Sequence, residues 1–132
     1  MASLFTKIIN KEIPCYKVAE DEQFYAFLDI NPRQKGHTLV VPKVEVDRYF
    51  DLDDDTLSQM TLFSKRVAAA IKEVCPCDRI ATAVIGLEVP HAHVHLVPIN
   101  RMGDIDFSTP PVSMTPEEMK LTADQIAERV KL

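Results

Sequence analysis

The segment His91-Ala92-His93-Val94-His95-Leu96-Val97 constrains this chain more than any other, because strict polar/apolar alternation fits an extended strand and not a helix. In a strand, His91, His93 and His95 share one face, roughly 6.6–6.8 Å apart. Ala92, Val94 and Leu96 share the other and can pack against helices. The run holds three of the four histidines in the chain. Imidazole is the side chain whose ordinary pKa allows nucleophilic, acid or base chemistry near neutrality. Three in register on one element mark a reaction site.

Bulk properties narrow the function classes. A length of 132 residues fits one domain, expected over 1–132, that withdraws roughly two-thirds of its unfolded surface from water. No apolar run is long enough to span a bilayer, so no membrane partner is expected. The start, Met1 to Lys7, lacks the apolar core and cleavage site of a secretory signal, which gives a cytoplasmic expectation. A net charge of −5 argues against nucleic acid as a partner, since phosphate backbones need a basic face. Cys15, Cys75 and Cys77 form no even framework and read as reduced thiols. The acidic run Asp51, Asp53, Asp54 and Asp55 reads as a solvated helix start.

Periodicity then orders the elements. A short helix is expected over 4–10, with Leu4, Ile8 and Phe5 turned inward. Strands at 15–20 and 23–28 flank Asp21-Glu22 as a hairpin, and a third runs over 37–41 after Asn31-Pro32 and Gly36. Asp53 caps a long helix, Leu52 packs on Leu57 as a staple, and Met60, Phe63, Val67, Ile71 and Val74 form its buried stripe until Pro76. Strands follow at 79–85 and 91–97. Thr115-Pro116-Glu117-Glu118 is a capping box that opens a C-terminal helix, over about 115–131. The fold class expected is α+β, an antiparallel sheet of about five strands with a long central helix and a C-terminal helix.

The His-x-His-x-His spacing resembles the defining motif of the histidine triad (HIT) superfamily. The resemblance extends to Lys7-Ile8-Ile9-Asn10-Lys11-Glu12-Ile13-Pro14, to Phe27-Leu28-Asp29-Ile30-Asn31-Pro32, and to Gly36-His37-Thr38-Leu39-Val40-Val41-Pro42-Lys43. Gly86 and Glu88-Val89-Pro90 lead into the triad as in bacterial members. It implies nucleotidyl transfer at the α-phosphorus of a nucleoside 5′-phosphate derivative, with a nucleotide as small-molecule substrate and no cofactor. By that resemblance His93 is the nucleophile, and water releases the nucleoside monophosphate, AMP above all, from a nucleotidyl-His93 intermediate. His95 donates to oxygen as charge builds, while His91 and His37 buttress and polarise the row. Asp29 contacts ribose and Ile30 the base, and Gly86, Glu88 and Val89 complete the nucleotide-binding set. Phe5, Phe24 and Phe27 are candidates for a wall against the base. The resemblance also implies a two-fold homodimer, for which Leu62, Ala69 and Ala70 offer a second face of the long helix.

Alternatives stand beside this. Histidines at i and i+2 can share a metal ion, with Glu88 or Asp29 supplementing them. Asp29 also reads as the cap of the Asn31-Pro32 turn. Some family members hold a structural zinc on an N-terminal Cys-x-x-Cys pair and a later histidine. The corresponding positions here are Ser3, Thr6 and Glu45, so no metal is expected. Leu87 stands where the family commonly has Gln, and the loop before the triad is short. These departures keep open a nucleotide-binding module with little chemistry, and leave phosphoramidates, acyl adenylates and dinucleoside polyphosphates as substrate classes.

Overall fold

A computed structural model describes residues 2–132. Helix α1, Leu4–Ile9, starts at Ser3, whose hydroxyl accepts from the Thr6 amide at 3.1 Å. The hairpin strands β1, Lys17–Glu20, and β2, Phe24–Leu28, pair antiparallel around a turn held by Asp21, whose carboxylate accepts from the amides of Gln23 and Phe24. Strand β3, Thr38–Pro42, is followed by helix α2, Asp54–Val74, strands β4, Arg79–Ala83, and β5, Val94–Ile99, and helix α3, Pro116–Arg129. The five strands form one antiparallel sheet in the order β1-β2-β3-β5-β4. This is the expected α+β class.

Alternation along the strands divides the core into two layers. Phe24, Ala26 and Leu28 of β2, Val40 of β3, and Val94 and Leu96 of β5 pack with Met60, Phe63, Val67 and Ile71 of α2 and Met119, Ala123 and Ile126 of α3. Tyr25 and Phe27 of β2 and Leu39 and Val41 of β3 face the other way, onto Phe5 and Ile8 of α1. All five residues of both β2 and β3 are therefore buried. The large apolar ones among them, Phe24, Phe27, Leu28, Leu39, Val40 and Val41, each contribute roughly 1.5–3 kcal/mol by leaving water. Ala92 packs in the helix-side layer, so the apolar members of the histidine run do what their spacing requires.

The caps follow the sequence closely. Asp53 accepts from the Thr56 amide at 2.7 Å, and Leu52 and Leu57 join the same apolar cluster at the start of α2. Thr115 and Glu118 exchange the two bonds of a capping box, with Pro116 in the first turn of α3.

Several boundaries and faces differ from expectation. β5 begins at Val94, not His91, and β4 ends at Ala83, not Ile85. The ladders explain both: β4 ends at Ala83 opposite His95, and pairing with β3 stops at Val94 opposite Val40 although β3 runs on to Pro42, which leaves 91–93 without ladder partners. There the Ala92 amide donates to the Val46 carbonyl instead, at 2.7 Å. β1 starts at Lys17 rather than Cys15. Leu4 is exposed, because a six-residue helix that buries Phe5 and Ile8 turns Leu4 to solvent. Phe24 lies on the helix side against Phe63, away from any base wall. Ala70 is buried in the core, so the outer face of α2 keeps only Leu62 and Ala69 of the three residues named for it.

Gly36 admits β3 to the sheet at φ +94°, and a β-carbon there would stand 2.7 Å from Cys75 Sγ. Gly36→Ala therefore combines a left-handed backbone penalty with overpacking, and should lower unfolding free energy by about 2–4 kcal/mol in urea titration. Adding Cys75→Ala should recover the overpacking part alone. A Gly36→Ala midpoint equal to wild type would contradict both components.

Candidate active site

The antiparallel pairing of β3 with β5 sets Thr38 opposite Leu96 and Leu39 opposite His95, which places His37, one residue before β3, against His95. Nε2 of His37 and Nδ1 of His95 are 2.9 Å apart. The protons on these rings follow from their backbone partners, since an amide N–H only donates and a carbonyl only accepts. The Arg33 amide donates to Nδ1 of His37 at 2.9 Å. Neutral His37 therefore carries its proton on Nε2 and donates it to Nδ1 of His95. His95 is left with its own proton on Nε2.

His93 has the opposite arrangement. Its Nδ1–H donates to the His91 carbonyl at 2.7 Å, so neutral His93 has a bare lone pair on Nε2. His91 donates from Nε2 to the Pro42 carbonyl at 2.7 Å and accepts at Nδ1 from the Ser3 hydroxyl at 2.7 Å. The His93 and His95 rings meet edge-on, centroids 5.1 Å apart. Both line a cleft of about 550 Å³. His91 and His37 are wholly enclosed behind them.

The cleft brings together the other residues named from sequence. Asp29, Ile30, Gly86, Glu88 and Val89 all line it, as do Phe5 and Phe27. Ile30 is largely exposed at its mouth. Asp29 also caps its turn: one carboxylate oxygen accepts from the Asn31 amide at 2.8 Å, and the other lies 3.6 Å from Nε2 of His37. Only that second oxygen remains uncommitted to the turn. Burial raises the Asp29 pKa despite the Asn31 amide and the Arg33 charge. Gly86 has φ +75° with open space around it, and Leu87 is almost fully solvent-exposed.

Asp29, His37 and His95 also bring three potential ligand atoms within 4.8 Å of one another. The Arg33 amide aimed at Nδ1 keeps the His37 proton on Nε2, the atom an ion would need. That chemistry suits a hydrogen-bond relay better than a metal centre.

Sequence reading missed two residues of the site. Phe107, in the irregular segment between β5 and α3, lies edge-on to His95 at 4.8 Å and lines the cleft. Arg33 holds that segment: its guanidinium donates to the carbonyls of Asp106, at 3.3 Å, and Thr109, and lies over the Phe107 ring. Neither position has a periodic signal. The only local hint was an arginine next to Asn31-Pro32, where a solvated turn residue is the simpler reading.

Comparisons with known proteins show the family and the fold. The HIT domain family model matches residues 10–102. The chain is 44% identical over 103 residues to a HIT-like protein of Methanocaldococcus jannaschii, covering 72% of this chain and 77% of that one. It is 33% identical to the adenosine 5′-monophosphoramidase of Schizosaccharomyces pombe, with 99% of this chain and all of that one aligned. Its fold is similar to the crystal structure of a histidine triad nucleotide-binding protein from Sulfolobus tokodaii, with TM-score 0.84, 33% identity, and 96% and 90% of the two chains covered.

Burial, then the neighbouring histidine and Arg33, hold His37 down to about 3 and His95 down to about 4, from 6.5. Below 6.5 the unfolded chain binds protons that the native pair refuses, so stability is complete above that pH and drains on acidification toward about 4. Urea midpoints should fall steadily between about pH 7 and about pH 5, before most carboxylates titrate. His95→Asn should flatten the slope. A wild-type midpoint constant over that interval would contradict a neutral pair.

Proposed function

Because the chain belongs to the HIT domain family, we propose that it hydrolyses nucleoside 5′-phosphate conjugates at the α-phosphorus through a nucleotidyl-His93 intermediate, releasing a nucleoside monophosphate such as AMP. One observation carries this most directly. The two ring nitrogens left free on the cleft-lining histidines are complementary, a lone pair on Nε2 of His93 and an N–H on Nε2 of His95. A displacement at phosphorus needs that pairing, a nucleophile beside a donor for developing negative charge.

The lone pair of His93 forms the nitrogen–phosphorus bond as the bond from phosphorus to the leaving group breaks. The His91 carbonyl stabilises the imidazolium that this creates, through the retained Nδ1–H. Nε2–H of His95 donates a hydrogen bond to a phosphoryl or leaving-group atom. His95 serves as a neutral donor, because the Arg33 amide and His37 oppose a second proton on the pair. The leaving group departs with the bonding electrons and takes a proton from solvent; water then displaces His93 from phosphorus and returns a proton to solvent, which restores the neutral imidazole. The free Asp29 oxygen takes a ribose hydroxyl, Ile30 contacts the base, and Gly86, Glu88 and Val89 border the phosphates.

The adenosine 5′-monophosphoramidase activity named for the Schizosaccharomyces pombe relative, and for a Saccharomyces cerevisiae relative 38% identical over 98 residues, supports a phosphoramidate substrate. Dinucleoside polyphosphates remain the second class. Among the described residues no helix is long and apolar enough to cross a membrane, which accords with work on soluble nucleotides in the cytoplasm. The same function includes a two-fold homodimer, for which the exposed Leu62 and Ala69 of α2 and the open edge of β4 offer surfaces.

Mixing the protein with a fluorogenic AMP phosphoramidate should give turnover, and acid quenching should trap an adenylylated chain by mass spectrometry. His93→Ala should reduce kcat by about 10³-fold or more with the fold intact, and His95→Asn by about 100-fold. Wild-type protein that binds AMP without turnover or adduct would instead make this a binding module. Sedimentation should give twice the 14.9 kDa chain mass, and a stable monomer would refute the dimer.

A further inference from the structure

The enclosed ring of His91 lines no part of the cleft, yet both of its nitrogens are bonded. Its Nδ1 accepts from Ser3 Oγ, and Thr6 Oγ1 approaches the same nitrogen at 3.5 Å. One oxygen of Glu45 then accepts from both the Ser3 amide, at 2.7 Å, and the Thr6 hydroxyl, at 2.6 Å. These residues come from the start of α1 and from the segment after β3. The end of β3 and the segment after it grip the triad once more each, through the Pro42 carbonyl on Nε2 of His91 and the Val46 carbonyl on the Ala92 amide. Phe5, in the first turn of α1, lies edge-on to both His91 and His93, at 5.7 and 4.9 Å between centroids.

These contacts form a directed chain. The carboxylate of Glu45 orients Ser3 and Thr6. The Pro42 carbonyl sets the proton on Nε2 of His91, and the Ser3 hydroxyl, donating to Nδ1, supports that tautomer and holds the ring against Pro42. The carbonyl of His91 holds Nδ1–H of His93 and so exposes its other nitrogen. His91 has no strand ladder to hold it, since β5 begins three residues later. Side-chain tethers therefore replace backbone pairing at the residue that orients the nucleophile.

We propose that Ser3 and Glu45 are positioning residues for the nucleophile His93, acting through the tautomer and placement of His91; the role presupposes the hydrolase chemistry proposed above. Neither residue reaches the reacting atoms. Their effect falls on the rate of the chemical step and not on nucleotide binding, because the walls that hold nucleoside and phosphate do not include them.

The test uses Ser3→Ala, Glu45→Ala and the conservative Ser3→Thr in the full chain, each checked for native circular dichroism. Nitrogen-15 NMR of the histidine side chains reads the tautomers without reference to activity. Wild type and Ser3→Thr should show a single Nε2–H form for His91, and Ser3→Ala a mixture with the Nδ1–H form and the cation. Glu45 and His93 are the titratable groups bearing on this ring. Thr6, Ser3 and Phe5 of the α1 side bring no charge, and Lys43 pairs with Glu20. With the fluorogenic AMP phosphoramidate, Ser3→Ala should lower kcat by about 10- to 100-fold while KM stays within about threefold. The acid limb of its kcat profile should move to higher pH, Glu45→Ala should show about a tenfold loss, and Ser3→Thr should restore kcat.

A folded Ser3→Ala variant with wild-type kcat and an unchanged His91 tautomer would overturn the proposal alone. So would a loss that Ser3→Thr fails to restore, or one that appears equally in KM. Wild-type protein with no turnover would instead remove the hydrolase function, and the catalytic role of Ser3 and Glu45 with it.

Discussion

The pairing of β3 with β5 is the constraint from which the site follows. It joins segments separated by all of α2 and β4, and its register sets His37 on His95 with hydrogen-bonding distance between the rings. A slip of one residue would turn every side chain of β5 to the opposite face. His95 would then enter the helix-side core and Leu96 the cleft. The two-sided burial of β2 and β3 makes that slip costly, because Val40 and Leu39 each have a packed layer to satisfy. Core packing and catalytic geometry are thus enforced by the same hydrogen-bond ladder.

On that frame, main-chain groups select which ring nitrogen bears a proton. The Arg33 amide, the His91 carbonyl and the Pro42 carbonyl each act on one imidazole. Backbone groups cannot titrate, so each assignment holds wherever the ring concerned is neutral. Burial disfavours charge on His37, His91 and His95, and the field at the site comes from aligned dipoles, the Arg33 guanidinium and the carboxylates of Asp29 and Glu88.

Much of this could be read from the residues before any coordinates. The capping pair Thr115 and Glu118, the Asp53 cap and the α2 stripe from Met60 to Ile71 are local signals, fixed by spacing within one element. The cleft residues Asp29, Ile30, Gly86, Glu88 and Val89 were legible through family resemblance. What escaped was set by contacts distant in sequence. β5 starts at Val94 because its ladder with β3 stops at Val40 and β4 ends at Ala83, and an alternating pattern through His91 gives no warning. Phe24 and Phe27 are alike as residues, and only strand register puts one beneath α2 and the other in the cleft. Phe107 and Arg33 meet across more than seventy positions, in segments without periodicity. Ser3, Thr6 and Glu45 were recognisable as unsuited to zinc, but not as one hydrogen-bonded group closing on His91.

Arg33 has a consequence for how ligands are held. Its cation is almost buried and spends hydrogen bonds on the carbonyls of Asp106, Thr109 and Asn31, so it cannot swing out to meet an approaching anion. Such a charge exerts a steady pull without forming a tight pair, and enclosed charges are poorly screened by salt. Under the proposed chemistry, an anion in the cleft would feel this charge without meeting it in a direct ion pair.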